Sequence, residues 1–137
     1  MIERQSKAPT TKGPAERFTG DVYVDLVVAH PDAGFSVGSV HFTPGAPTAW
    51  HSHAAGQMLH CTEGLGVVAT ADGVEVLRPG CAVWTPPGVR HWHGAAPDHL
   101  MTHLAMSGVV PLAAGQEAVT WQEHVTDADY DAATEEI

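Results

Sequence analysis

Residues Gly45 to Gly64 read GAPTAWHSHAAGQMLHCTEG, and the reading of this stretch decides the fold. His51 and His53 stand two positions apart, and an extended strand sends residues i and i+2 out of one face. Gln57 follows after Ala54-Ala55-Gly56, so three potential metal ligands fall within seven residues. Imidazole suits Zn, Cu, Fe and Ni, and a mixed nitrogen/oxygen set extends the choice toward Mn. The competing reading is a chance pair of exposed histidines in a chain that holds ten.

A second stretch weighs against chance. Gly80 to His93 reads GCAVWTPPGVRHWH, in which His91 supplies a fourth ligand. The spacing Gly45, five residues, His51-x-His53, three residues, Gln57, six residues, Gly64 resembles the first cupin motif. Gly80, five residues, Pro86-x-Gly88, two residues, His91 resembles the second, and the fifteen residues between Gly64 and Gly80 match the short inter-motif segment of small bacterial cupins. Two positions depart from the usual pattern. Gln57 stands where most cupins carry Glu, and Ala95 where the second motif often ends in Asn. With Gln in that slot, TAWHSHAAGQ before it, and RHWHGAAP and MTHLA after it, the chain resembles the cupin hydroxynitrile lyases of the mandelonitrile type. GPAERFTG near the start and WQEHVTD near the end extend the likeness along most of the chain.

The whole chain agrees with a single small unit. At 137 residues one domain is the natural count, and such a chain buries a substantial core without staples. No apolar run approaches the ~20 residues that span a bilayer. MIERQSKAPTTKG has charges but no apolar segment, so a secretory signal is not expected and a cytoplasmic location is. Cys61 and Cys81 are the only cysteines and form no C-x-x-C pair; two free thiols fit better than one disulfide. The formal charge is −10, and from Phe18 onward only Arg78 and Arg90 face fourteen acidic side chains. Such a surface repels phosphate backbones, so neither nucleic acid nor an anionic membrane is an expected partner.

Residues 1–13 are polar and predict a flexible N-terminal arm or an edge-strand extension, leaving 14–137 as the domain. Alternation predicts strands from Asp21 through Val28 and over Phe35–Thr43, with Val40 and Phe42 on the inward face of the second. Gln57–Thr62, Val67–Thr70, Val74–Leu77, Ala82–Thr85, Leu100–Met106 and Val119–Trp121 follow, separated by Glu63-Gly64, Asp72-Gly73 and Arg78-Pro79-Gly80 turns. Pro86-Pro87-Gly88 breaks the ladder. Thr126-Asp127-Ala128-Asp129 resembles a cap opening a short acidic helix to about Glu136. Short strands at this spacing indicate an all-β sandwich or barrel. The resemblance makes that a double-stranded β-helix, the jelly-roll barrel of cupins, with a short C-terminal helix.

His51, His53, Gln57 and His91 make a neutral ligand set. A divalent ion there keeps more of its charge and acts as a stronger Lewis acid, while its +3 state becomes harder to reach. Mn(II) is the first expectation, from the resemblance; Fe, Co, Ni or Zn fit the ligand type. His93 is two past His91 and shares its face, and the resemblance puts His103 near the metal as well. For each the alternative is a hydrogen-bonded core histidine. His41 and His60 face outward, and His30, His99 and His124 sit in loops. Thr48, three residues before His51, is placed to offer its hydroxyl to a substrate. Cys61 shares the inward face with Gln57. Trp50 and Trp92 alternate away from the ligands, toward packing or a subunit interface, and Trp121 reads as core or interface.

The resemblance implies reversible cleavage of a cyanohydrin such as mandelonitrile to aldehyde and cyanide. The metal serves as Lewis acid, with His103 as base and His93 as stabiliser of cyanide, or the two exchanged. An oxygen-dependent dioxygenase is the first alternative, and a non-catalytic module binding metal or a small ligand the second. A small-molecule substrate is the expected partner. A homodimer or homotetramer is the expected assembly, because small cupins pair through their sheets and outward tryptophans need cover.

Overall fold

A computed structural model describes residues 1–137 as eleven strands and one helix. In chain order they are β1 (Thr11–Lys12), β2 (Val22–Val28), β3 (Phe35–Phe42), β4 (His51–His53), β5 (Gln57–Gly64) and β6 (Gly66–Thr70). Then come β7 (Gly73–Leu77), β8 (Ala82–Thr85), β9 (Trp92–Ala95), β10 (Met101–Gly108), β11 (Val119–Trp121) and α1 (Asp127–Thr134). One six-stranded antiparallel sheet runs β1-β2-β3-β10-β5-β8. The facing layer is built from the β7-β6-β9 sheet and the β11-β4 pair, stitched together by bridges between His51 and His91 and between Pro47 and Gly94. Sheet faces that are apolar on one side bury that side against each other, which is why the alternating strands close into two layers.

Val22, Val40, Phe42, Leu59, Cys61, Leu77 and Met101 fill the space between the layers. These are alternate positions on their strands, as the period-2 pattern requires. Cys61 and Cys81 are free thiols. A second cluster joins Trp50, Val67, Ala69, Trp92 and Val125, with Tyr130, Ala133 and Ile137 packed against it. The outward tryptophans therefore have their cover within the chain. Trp92 is buried beneath α1, its ring 5.9 Å from that of Tyr130, and the Tyr130 hydroxyl donates to the Ala95 carbonyl at 2.7 Å. The partner copy expected over Trp50 and Trp92 is not needed for either. Thr126 caps α1, its hydroxyl accepting from the Asp129 N–H at 3.1 Å.

The strands expected from alternation appear, Ala82–Thr85 and Val119–Trp121 with the expected ends and the others with ends shifted by one or two residues. Of the two readings of residues 1–13, an edge-strand extension forms at Thr11–Lys12, which pair with Val24 and Tyr23; the preceding residues lie outside any strand. Strand β9 is the element that alternation does not announce in full, and WHGA is buried at all four positions. Gly64 shows why the first motif ends in glycine. Its φ is +80°, and a Cβ would stand 1.8 Å from the Leu100 carbonyl oxygen. Gly64 pairs with Met101 at the start of β10, and a shift of register between Thr102 and His103 then carries His103 opposite Cys61.

Candidate metal and acid-base centre

Five histidines from both layers meet inside the barrel. His51 and His53 come from β4, His91 from the residue before β9, His93 from β9, and His103 from the middle of β10. Each is less than a tenth exposed. The strand rule explains four of them: 51 with 53, and 91 with 93, are i, i+2 pairs on faces that point the same way. Antiparallel bridging of His51 to His91 then sets the two pairs side by side, with ring centroids 4.3 Å apart.

The backbone fixes the tautomers of two of these rings. His51 Nδ1–H donates to the Ala49 carbonyl at 2.8 Å, and His91 Nδ1–H to the Val89 carbonyl at 3.0 Å. Each therefore presents a lone pair at Nε2, the arrangement that metal-ligating histidines use. His91 Nε2 meets the Gln57 carbonyl oxygen at 3.4 Å, so two acceptors face each other with no proton between them. His53 Nε2 and His93 Nε2 are buried without a hydrogen-bond partner. Buried acceptors that converge without donors are costly in a protein interior, and a cation among them removes the cost. One nitrogen each from His51, His91 and His93 lies within 4.8 Å of the others. This three-histidine site is compatible with a divalent metal.

The expected ligand set and this group overlap without being identical. His51 and His91 belong to both. The His53 ring lies 5.1 Å from that of His51 and 5.6 Å from that of His91, and Gln57 reaches the centre through its contact with His91. His93 stands 5.1 Å from His51 and 5.7 Å from His91 by ring centroid, so it faces the same space. Behind it His103 Nε2 and His93 Nδ1 share a hydrogen bond of 2.9 Å. His103 Nδ1 is buried and unpartnered. The Thr48 hydroxyl is already engaged: it donates to the Ala49 carbonyl at 2.8 Å, accepts from the His93 N–H at 3.3 Å, and lies 3.5 Å from His51 Nδ1. Its place is behind the imidazoles, bracing them.

Burial keeps the whole cluster neutral. It holds His51 down to about 3, with the nearby His91 adding to the effect, and His103 down to about 3. His53 is lowered to about 4 by burial and by His91. His91 is lowered and His93 lies well below the usual imidazole value, both chiefly through loss of water. A base with a pKa near 6, the usual imidazole range, is thus not what the fold makes of His103. At neutral pH all five rings carry lone pairs, the form that binds metal or accepts a proton.

Two aromatic residues brace the centre in ways that sequence did not disclose. Trp121 of β11 lies against His51, centroid to centroid 4.5 Å at an interplanar angle of 30°. Phe42 touches both members of the histidine pair, at 5.7 Å from His93 and 5.2 Å from His103. Only its inward place on β3 hinted at this. Arg90 turns away from the centre: its guanidinium lies 3.9 Å from the Trp50 ring centroid and binds Gln122 and Glu123. That clamp holds β11, and with it Trp121, against β4.

The Cupin domain family model matches residues 38–105, which hold both histidine motifs and His103. An (R)-mandelonitrile lyase of Granulicella tundricola (strain ATCC BAA-1859 / DSM 23138 / MP5ACTX9) is 47% identical over 131 residues, covering 94% of this chain and 97% of the lyase. The chain belongs to the cupin family. A cupin-like protein of Thermotoga maritima superposes with a TM-score of 0.85 at 36% identity, covering 99% of this chain and all of the other. The polyketide cyclase RemF of Streptomyces resistomycificus shares the fold alone, with a TM-score of 0.69 at 18% identity over 96% of this cupin and 92% of the cyclase. No helix of this cupin is long and apolar enough to cross a membrane.

Proposed function

We propose that this cupin is a metal-dependent lyase that cleaves and forms the C–CN bond of a cyanohydrin. The observation that carries the proposal is the buried, neutral His93–His103 pair, joined at 2.9 Å, with the His93 ring set beside those of His51 and His91. The likeness to a protein named (R)-mandelonitrile lyase supports the reaction.

The residues that would hold the ion are His51, His53, Gln57 and His91, which leaves His93 Nε2 facing the same space with a free lone pair. A divalent ion there, Mn(II) by the family resemblance, would supply Lewis acidity toward an oxygen of the substrate. The protein's own groups do the remainder. Backbone carbonyls of Ala49 and Val89 orient the His51 and His91 rings, and Trp121 stacks on His51 to hold it. The His93–His103 pair takes the hydroxyl proton of the cyanohydrin on a ring nitrogen. As the aldehyde C=O forms, the C–C bond electrons leave with cyanide, and the pair returns the proton to give HCN. The same steps reversed add HCN to the aldehyde, so no redox partner is required. Burial keeps both rings uncharged at neutral pH, so each has a lone pair able to accept a proton.

The neutral ligand set weighs against the oxygen-dependent alternative, since it disfavours a +3 ion. Assaying mandelonitrile with and without air separates the readings. Benzaldehyde release at equal rates under both atmospheres supports the lyase, and oxygen uptake coupled to substrate loss replaces it with a dioxygenase. Neither activity in metal-loaded protein leaves a non-catalytic binding module.

A further inference from the structure

The only two cysteines of the chain take no part in the histidine centre, yet the sheet sets them side by side. In the β5–β8 ladder Gln57 pairs with Thr85 and Leu59 with Val83. The same register continued by two residues puts Cys61 directly opposite Cys81, the residue before β8. Gln57, Leu59 and Cys61 are buried on the inward face, and along the facing chain Cys81, Val83 and Thr85 are more covered than Ala82 and Trp84. Both thiols therefore project from one face of the sheet. The backbone ties the pair together: the Cys61 N–H donates to the Cys81 carbonyl and the Gly80 N–H to the Cys61 carbonyl, each at 2.9 Å. With Gly80 at φ +91°, this is a glycine bulge in which Gly80 and Cys81 together oppose Cys61.

Directly opposed Cβ atoms on antiparallel strands stand about 4.5–5.5 Å apart, and a disulfide needs about 3.5–4.5 Å, so an approach of about 1 Å joins the sulfurs. A bond that needs such an adjustment carries strain and is easily reduced again. The two thiols differ in access. Cys81 is partly exposed, whereas Cys61 is fully buried, and burial pushes its thiol up. An oxidant therefore meets Cys81 first, and Cys61 stands behind it to resolve the product.

We propose that Cys81 and Cys61 form a reversible oxidative modification site that takes a small hydroperoxide as its oxidant. Cys81 Sγ attacks one oxygen of hydrogen peroxide, the O–O bond breaks, and a sulfenic acid and one water result. Cys61 Sγ then attacks Cys81 Sγ, the S–O bond breaks, and the hydroxyl leaves with the Cys61 proton as a second water. Two thiols are thus oxidised to one disulfide while one peroxide is reduced to two waters. The site is independent of the lyase reading, and its test needs no turnover.

The experiment treats the Zn(II)-loaded protein, whose ion does not change redox state, with hydrogen peroxide and follows free thiols, intact mass and cross-linked peptides. The parent protein should lose both thiols and the mass of two hydrogens, with Cys61 linked to Cys81 within one chain, and reduced glutathione should restore both thiols. Cys61→Ser should stop at a Cys81 sulfenic acid that dimedone captures. In Cys81→Ser, Cys61 should be oxidised at least roughly tenfold more slowly than in the parent. Two intact thiols in the treated parent protein overturn the proposal, as do links formed only between chains, or Cys61 oxidised equally fast in Cys81→Ser. A disulfide that reduced glutathione fails to reopen makes the pair a permanent staple and overturns its reversibility.

Discussion

Acidification should destabilise the metal-free protein well before its carboxylates titrate. His51 and His103 are each held to about 3 inside the barrel, whereas an unfolded imidazole titrates near 6.5. Between those values the unfolded chain binds protons that the folded chain refuses, so stability rises with pH through the window. It is fully present above about 6.5 and is lost as pH falls toward 3. At pH 5, about 1.5 units below the unfolded value, each ring withdraws about 2 kcal/mol, at about 1.4 kcal/mol per unit. That figure holds for any native value below about 4. The two together remove about 4 kcal/mol from a domain whose total is ~5–15 kcal/mol, a lower bound because His53, His91 and His93 are lowered as well. With a urea slope of about 2 kcal/mol per molar, the unfolding midpoint should drop by about 2 M between pH 7.5 and pH 5. The assay is urea titration of chelator-treated protein at both pH values, followed by tryptophan fluorescence. His103→Leu removes one of the two groups, and the drop between the two pH values should shrink by about 1 M. Midpoints that stay level from pH 7.5 to 5 in the parent protein would refute the claim that these rings are buried neutral.

Other consequences follow from single contacts. His93→Ala and His103→Ala should each keep the metal yet lower mandelonitrile turnover by about 10²–10⁴, the usual worth of a positioned acid or base; normal turnover with metal intact would end their catalytic role. Gln57→Glu should retain metal, since an oxygen ligand remains, while the added charge weakens the Lewis acid and slows turnover, as steady-state kinetics at matched metal content would show. Tyr130→Phe deletes the hydrogen bond to the Ala95 carbonyl and should cost about 1 kcal/mol in urea unfolding, with kcat unchanged. Gly64→Ala places a methyl against the Leu100 carbonyl, and should abolish soluble folded protein or lower its Tm steeply.

Much of the barrel was legible because its strands are half-buried, and half-buried strands write an alternating pattern. Phe42 and Cys61 were readable as inward for this reason, and the i, i+2 spacing of His51 with His53 paired their faces. Of β9 only the His91–His93 alternation was legible, because Gly94 and Ala95, though buried, carry no apolar side chain large enough to extend the pattern. The His93–His103 contact lay beyond periodicity as well. Those residues sit on opposite layers, and only the closure of the barrel brings them within 2.9 Å. Trp50 and Trp92 were correctly turned from the centre, but their cover depends on where α1 docks, which no local pattern encodes. The Thr48 hydroxyl, expected at the substrate, is engaged with Ala49 and His93 because the chain folds back at that point through a Thr48–His93 backbone hydrogen bond of 2.8 Å.

The most direct test of the account is reconstitution. Chelator-treated protein is titrated with Mn(II) under nitrogen while benzaldehyde release from mandelonitrile and bound metal are measured on the same samples. The account predicts that release is negligible without metal, rises in proportion to bound ion, and levels at one equivalent per chain. His51→Ala should bind little ion and release little benzaldehyde. Full turnover in the metal-free protein, or one tightly bound ion per chain in His51→Ala, would contradict it.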